Sequence, residues 1–330
     1  MDDKQRNELG EKIHNRILDT INRQQRKIHL YHRLTVAATI LCLLSISLFI
    51  AIGYYKESVK IHKGENLYAN FNSGQLILPN GDSIAVSALI YANKNLPVQV
   101  VRSTDYPQFK SNTFSDDDWI TLKTGKGGFF KLLLADGSMV YLNANSEIKY
   151  RGDFLKNRIV HVNGEAFFEI KKITNQKQQP QSFTVSGGDH HVTVLGTKFN
   201  FENYTDQTIK TTLVEGKVAI GNIKTGITKI LRPGEQATAD KQGNLQIKDV
   251  DIEQYVAWKD GFYYFKDATL IHILDELQQN FEFKFDRKAI PTTTLTFIVK
   301  KNRTLSEILN LIEKSSDVKL YLRGSQLMVE

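Results

Sequence analysis

With 330 residues and 41% apolar content, the chain is long enough for two or three packed domains. Its formal charge of +7 does not mark a nucleic-acid binder: residues 1–33 carry a net +3 and all the rest only +4, whereas phosphate binding needs clustered charge. The one cysteine, Cys42, lies in the most apolar stretch, which excludes a disulfide framework and thiolate chemistry in the large region that follows.

The first 33 residues are polar and basic, with an apolar stripe of Leu9, Ile13, Ile17 and Ile21 at i+4 steps. Such a stripe fits a helix that docks in a partner's groove, or one that lies on the inner leaflet beside Arg23, Arg26 and Lys27. Leu34 to Ile52 then gives nineteen positions without a charge, eleven of them Leu, Ile, Val or Phe. At 1.5 Å per residue this predicts one transmembrane helix over 34–52. Arg23, Arg26, Lys27 and Arg33 precede the span with no acid among them and the charges after it are mixed, which places residues 1–33 in the cytoplasm. The leading region is too long and the apolar run too extended for a cleaved signal peptide, so the span reads as an uncleaved anchor.

From about residue 65 to 249 the pattern is one of short alternating runs broken by turn dipeptides. Asn80-Gly81, Asp136-Gly137 and Asn163-Gly164 are hairpin signals, and Pro233-Gly234 and Gln242-Gly243 punctuate later runs. Strands are expected at 130–134, 139–142, 158–162, 167–170, 193–195 and 210–214. GQLILPNGDSIAV at 74–86 echoes FKLLLADGSMVYL at 130–142, which predicts the same hairpin twice. We read a β-rich juxtamembrane region over 53–118 and an all-β domain over 119–250.

Beyond residue 250 the period changes. Leu270, Ile273, Leu274 and Leu277 form one helical face, and Leu305, Ile308, Leu309 and Ile312 repeat it. Thr304 with Glu307 is a capping-box signature. Each helix precedes an alternating run, 282–286 and 318–322, so residues 251–330 read as a small α+β domain of two β-α-β-like halves. The expected fold class is therefore a membrane-anchored, mainly β protein ending in an α+β module.

No catalytic constellation can be assembled, and no cofactor is implied. Thr124 to Gly128 lacks the spacing and the Lys-Ser/Thr ending of a phosphate loop. Asp116-Asp117-Asp118 lacks the glycine and distal Glu of a calcium loop. His190 and His191, adjacent on a strand, point to opposite faces and do not chelate one metal ion.

Five motifs in order carry a resemblance. They are Gly127-Gly128 through Leu132, Leu134, Asp136-Gly137-Ser138, Val140, Leu142-Asn143-Ala144, Ser146 and Tyr150; Gly164 to Glu169; Val194 to Asn200; Leu213 to Gly216; and Leu231 to Ala237. Over roughly 120–240 the chain resembles the FecR family, and the module from about 261 is similar to the domain that closes its Bacteroidota-type members. That domain is related to the short N-terminal domain of secretins and TonB-dependent receptors.

The resemblance implies an anti-sigma factor, or sigma regulator, held in the inner membrane with its C-terminal region in the periplasm. Its implied partners are the periplasmic signalling domain of a TonB-dependent outer-membrane transporter, membrane proteases and a cytoplasmic extracytoplasmic-function sigma factor. Leu9, Ile13, Ile17 and Ile21 would then face the sigma factor, although the family's sigma-binding region usually exceeds 33 residues. Some members cut themselves at a Gly-Thr bond. Gly196-Thr197 matches that bond, or is a turn glycine followed by a strand threonine. The alternative overall reading is a membrane-anchored docking or adaptor protein of the envelope.

Overall fold

A computed structural model describes residues 74–85, 100–102, 107–109 and 114–330 apart from 176, 206, 207 and 241. The expected span at 34–52 and the stripe at Leu9, Ile13, Ile17 and Ile21 lie outside the described residues. Among the described residues no helix is long and apolar enough to cross a membrane.

Up to Asp249 the described chain is a double-layered β structure with one core. One layer runs in the order Ser83–Ala85, Gly74–Ile77, Trp119–Thr124, Glu147–Arg151, Ile159–Glu169, Phe183–Gly187, His190–Val194, Val218–Asn222, Thr228–Leu231. The other contains Phe130–Leu133, Met139–Leu142, the far half of Ile159–Glu169, Lys198–Asn203, Ile209–Glu215, Glu235–Ala239 and Leu245–Asp249. Period-2 alternation turns Leu122, Ile148, Val160 and Ile220 of the first layer onto Leu132, Val140, Phe168 and Phe199 of the second.

The echo between 74–86 and 130–142 is a repeated hairpin. Leu76 sits opposite Ile84 as Leu132 sits opposite Val140. In each turn the glycine N–H donates to a leucine carbonyl at 2.9 Å, Gly81 to Leu78 and Gly137 to Leu134. The two glycines have φ of +89° and +82°, conformations that favour a residue without Cβ.

The expected hairpin at Asn163-Gly164 is not one. Ile159–Glu169 is a single strand of 11 residues that joins both layers: residues up to Asn163 pair with Glu147–Arg151, and those from Gly164 onward pair with Lys198–Asn203. Gly164, at φ +99°, supplies the bend. A Cβ there would fall 2.6 Å from the Ser146 Cα, so the same dipeptide that elsewhere reverses a chain here lets it change sheets. Within 119–250 the all-β reading needs one small correction: the one-turn helix Phe154–Asn157 interrupts the strands, while a second, Glu253–Val256, lies beyond them at the start of the α+β region.

The C-terminal module has the two expected halves. Phe262–Thr269, helix Leu270–Gln278 and Lys284–Phe285 form the first; Thr294–Lys300, helix Leu305–Lys314 and the hairpin Leu320–Arg323/Gln326–Val329 form the second. The opening strands of the halves pair antiparallel, and Lys284–Phe285 runs parallel to Gln326–Val329. All eight stripe residues of the two helices are buried in one cluster. At about 1.5–3 kcal/mol for each buried aliphatic side chain, the two stripes contribute a large share of the core, which they complete with residues such as Phe265, Phe281 and Leu327. Thr304 and Glu307 form the capping box in full, the threonine hydroxyl accepting from the Glu307 N–H at 3.2 Å.

Candidate functional site

Three polar residues from separate motifs meet where the β structure abuts the C-terminal module. Asn143 follows strand Met139–Leu142, Glu165 lies just past the Gly164 bend, and Asn200 lies in Lys198–Asn203, three strands that are neighbours in one layer. The backbone places them: the Asn143 N–H donates to the Glu165 carbonyl at 2.9 Å, and the Glu165 N–H donates to the Ser146 hydroxyl at 2.9 Å.

Two amides clamp the Glu165 carboxyl. Asn143 Nδ2 donates to Oε2 at 2.6 Å and Asn200 Nδ2 to Oε1 at 2.8 Å. Each amide oxygen is taken from outside the β structure. Lys301 Nζ donates to Asn143 Oδ1 at 3.1 Å, and Trp258 Nε1 to Asn200 Oδ1 at 3.2 Å. These donors fix both amide orientations, since a flipped amide would turn its NH2 onto a lysine or an indole N–H. All five residues are buried.

Burial pushes the Glu165 pKa up to about 8, reinforced by the carboxylates of Glu202 and Glu276 and opposed by the two amides. Glu202 sits directly opposite Glu165 in the strand register. Burial lowers the Lys301 pKa, against the attraction of Glu276 and Glu165. The two groups thus form a buried acid–base pair joined through one amide, with the acid in one module and the base in the other.

Further contacts seal the same junction. Asn145 Nδ2 donates to the Gln279 carbonyl at 3.1 Å, and the Gly127 N–H donates to the same carbonyl at 3.0 Å. The glycine-rich 124–128 segment is therefore a docking turn. Trp258 packs edge-on to Phe129 and joins Phe167 and Val256 in a separate apolar cluster. Next to these groups lies a cavity of about 470 Å³ lined by residues of both modules and the linker.

The residues singled out from sequence do not converge here. Thr197, buried, donates its hydroxyl to the Lys217 carbonyl at 3.1 Å, and its own carbonyl accepts from the Ile170 N–H. A Cβ on Gly196 would meet the Lys172 side chain. His190 and His191 lie on strand His190–Val194, the first buried and facing Asn222, the second half-buried. Asp116 and Asp117 pair with Lys156 and Arg151. Among the described residues no group of His, Cys, Asp or Glu is arranged to hold a metal ion. Sequence reasoning missed Trp258 and Lys301. The first was detectable as a lone tryptophan in a polar linker, whereas the second sits in a Lys-Lys-Asn-Arg run that reads as solvated charge.

Residues 120–219 match the family model described as FecR protein, and residues 262–329 match the model described as FecR, C-terminal. Two crystal structures, at 1.65 and 2.50 Å resolution, of a protein from Parabacteroides distasonis ATCC 8503 named as a candidate anti-sigma factor have a similar fold. Each aligns with a TM-score of 0.55 and 23% identity, covering 64% of this chain and 98% of that one. No curated protein matches the chain.

Proposed function

The chain belongs to the FecR family, and from that premise we propose that it is a sigma regulator of the inner membrane. In this reading a TonB-dependent transporter signals to the C-terminal module in the periplasm. Regulated proteolysis then frees the cytoplasmic tail, which acts on an extracytoplasmic-function sigma factor through Leu9, Ile13, Ile17 and Ile21. The name carried by the Parabacteroides protein is in keeping with this role.

The observation that carries the reading is the double amide clamp. The FecR-motif residues Asn143, Glu165 and Asn200 are hydrogen-bonded to the linker through Trp258 and to the C-terminal module through Lys301. A displacement of the module leaves those buried groups without partners, which couples its docking state to the β domain. The test is cross-linking capture from host cells expressing the full chain, or the full chain with Ile13→Asp and Ile17→Asp, read by mass spectrometry. The expected result is a sigma factor recovered with the native chain and lost with the variant. Recovery of envelope proteins alone would leave the adaptor role in its place.

Self-cleavage at Gly196-Thr197 belongs to the same proposal and requires the Thr197 hydroxyl to leave the Lys217 carbonyl for that of Gly196. Two fragments on a denaturing gel, absent in Thr197→Ala, are the expected sign. A single intact band from the native chain removes the step.

A further inference from the structure

Three turns of the β domain meet at the buried side chain of Asn222. Its Oδ1 accepts from the Lys224 N–H at 2.9 Å and the Thr225 N–H at 3.0 Å, which closes the turn between Val218–Asn222 and Thr228–Leu231. The turn before His190–Val194 is tied in as well. There the Asp189 carbonyl accepts from the Ile223 N–H at 2.8 Å, and the Asp189 carboxylate pairs with Lys224 at 2.6 Å. From the other layer, Gly243 comes so close that a Cβ on it would fall 2.8 Å from Asn222 Nδ2 and 3.0 Å from Thr225 Cγ2. One side chain thus holds the hairpin tips of both layers at this end.

The same amide sets the state of a histidine. With Oδ1 committed to two backbone donors, Nδ2 is the atom that faces His190 Nε2, at 3.1 Å. Nε2 therefore accepts, and the proton of the neutral ring sits on Nδ1. His190 is buried, and its Nδ1 has no hydrogen-bond partner among the described residues. The neutral ring is held through one nitrogen alone. A second proton has to enter at Nε2, where it sets one donor against another. Flipping the Asn222 amide gives no relief, because its NH2 would then face the Lys224 and Thr225 N–H groups. Burial lowers the His190 pKa; Asp189 and Asp240 oppose the shift and His191 adds to it. Both of those acids are engaged elsewhere, Asp189 by Lys224 and Asp240 by the N–H and amide of Asn244.

We propose that His190 and Asn222 form an acid-sensitive latch: protonation of the histidine unlocks the turn at 223–227 and loosens this end of the β domain. Once the turn opens, the ring takes a proton at the ordinary histidine value of about 6.5, whereas the closed turn resists it. Closure is therefore fully favoured above that value and weakens as pH falls toward the lower value of the closed state. The latch shares no residue with the amide clamp on Glu165. It also has the opposite sign, since acid favours the protonated Glu165. The inference stands whether or not the partner in the cytoplasm is a sigma factor.

Hydrogen–deuterium exchange of the detergent-solubilised full chain reads the latch directly, with labelling times scaled to the intrinsic exchange rate at each pH. Protection of the amides at 223–227 is expected to fall several-fold from about pH 7.5 to about pH 5, with a ceiling of about thirtyfold set by the ordinary histidine value. The amides of helix Leu305–Lys314 serve as the control and keep their protection. His190→Gln retains an acceptor for Asn222 but has no proton to gain, so its protection should not change with pH. Asn222→Asp keeps the oxygen that closes the turn and aims a second acceptor at His190, so its protection should rise on acidification. Circular dichroism checks both folds, and Asn222→Asp carries the test alone if His190→Gln fails to fold. The proposal is overturned by native protection at 223–227 that is equal at the two pH values, or by a fall of the same size in the control helix. A fall that persists undiminished in either folded variant overturns it as well.

Discussion

Asp136 and Glu165 are two buried acids from two FecR motifs, and they are compensated in opposite ways. Asp136 faces Arg158, and both side chains are wholly enclosed. Arg158 reaches Asp136 Oδ2 with Nε at 2.8 Å and Nη2 at 2.7 Å, and donates to the Gln181 and Lys171 carbonyls. Asp136 also accepts from the Ser138 N–H and hydroxyl. Charge and hydrogen bonds close within the β domain. Glu165 meets only neutral amides there, and the donors that orient them come from the linker and the C-terminal module. A closed cluster specifies the fold, and an open one makes part of the fold depend on a neighbour.

The largest effect belongs to the closed cluster. Arg158→Met leaves Asp136 buried without its cation and is expected to cost about 3–5 kcal/mol in denaturant unfolding. The double variant with Asp136→Asn should lose clearly less than the sum of its parts. A cost below about 1 kcal/mol would mean that Asp136 is solvated, and the contrast with Glu165 would collapse. Gly164→Ala comes next. It forces a side chain into φ +99° and against Ser146, whose hydroxyl accepts from the Glu165 N–H. We expect a loss of about 2–4 kcal/mol, seen as a lower thermal midpoint, because strained conformation and overlap add. The damage should centre on the open cluster, with hydrogen exchange rising at Asn143 and Glu165 before Arg158.

Gly164 also marks how far the sequence could be read. The repeated hairpin was legible because Leu76/Leu132 and Gly81/Gly137 encode local geometry. The two helices were legible because eight apolar residues keep a 3.6-residue period. Asn163-Gly164 misled because a dipeptide reports backbone freedom and not direction: pairing on both sides of the glycine turned a reversal into a sheet crossing. The junction was half legible. Asn143, Glu165 and Asn200 stood inside recognisable motifs, but their common destination is set by tertiary register. Lys301 carried no signal, since burial of a lysine from a charged run depends on an acid 136 positions earlier in the chain. Hydrophobic periodicity is a local property, whereas charge compensation across modules is not.

The open cluster should also show itself as a pH dependence. With its folded pKa held up to about 8, above the ordinary carboxylate value, Glu165 keeps a proton that the unfolded chain has released. Its stabilising contribution is full below the unfolded value of about 4.3 and is lost as pH rises toward 8. Thermal midpoints should therefore fall across that window, with a slope of at most ~1.4 kcal/mol per pH unit. Glu165→Gln should flatten this part of the profile. A native profile that rises from pH 5 to 8, with no change in Glu165→Gln, would show that Lys301 holds the carboxylate ionised and that the cluster is closed after all.

Trp258→Phe is the mildest change and the cleanest separation of the two clusters. The phenyl ring retains the packing against Phe129 and Phe167 but cannot donate to Asn200 Oδ1. A buried acceptor then loses its partner, for an expected cost of about 1 kcal/mol. Freed to rotate, Asn200 donates less firmly to Glu165, so the carboxyl should hold its proton to still higher pH. Combined with Glu165→Gln, the loss should be non-additive, because the two residues share one amide. Combined with Asp136→Asn, it should add to within about 0.5 kcal/mol, since the clusters share no partner. Coupling of equal size in both pairs would mean that the β domain relays strain between its two acids, and that the boundary between a structural cluster and a communicating one lies elsewhere.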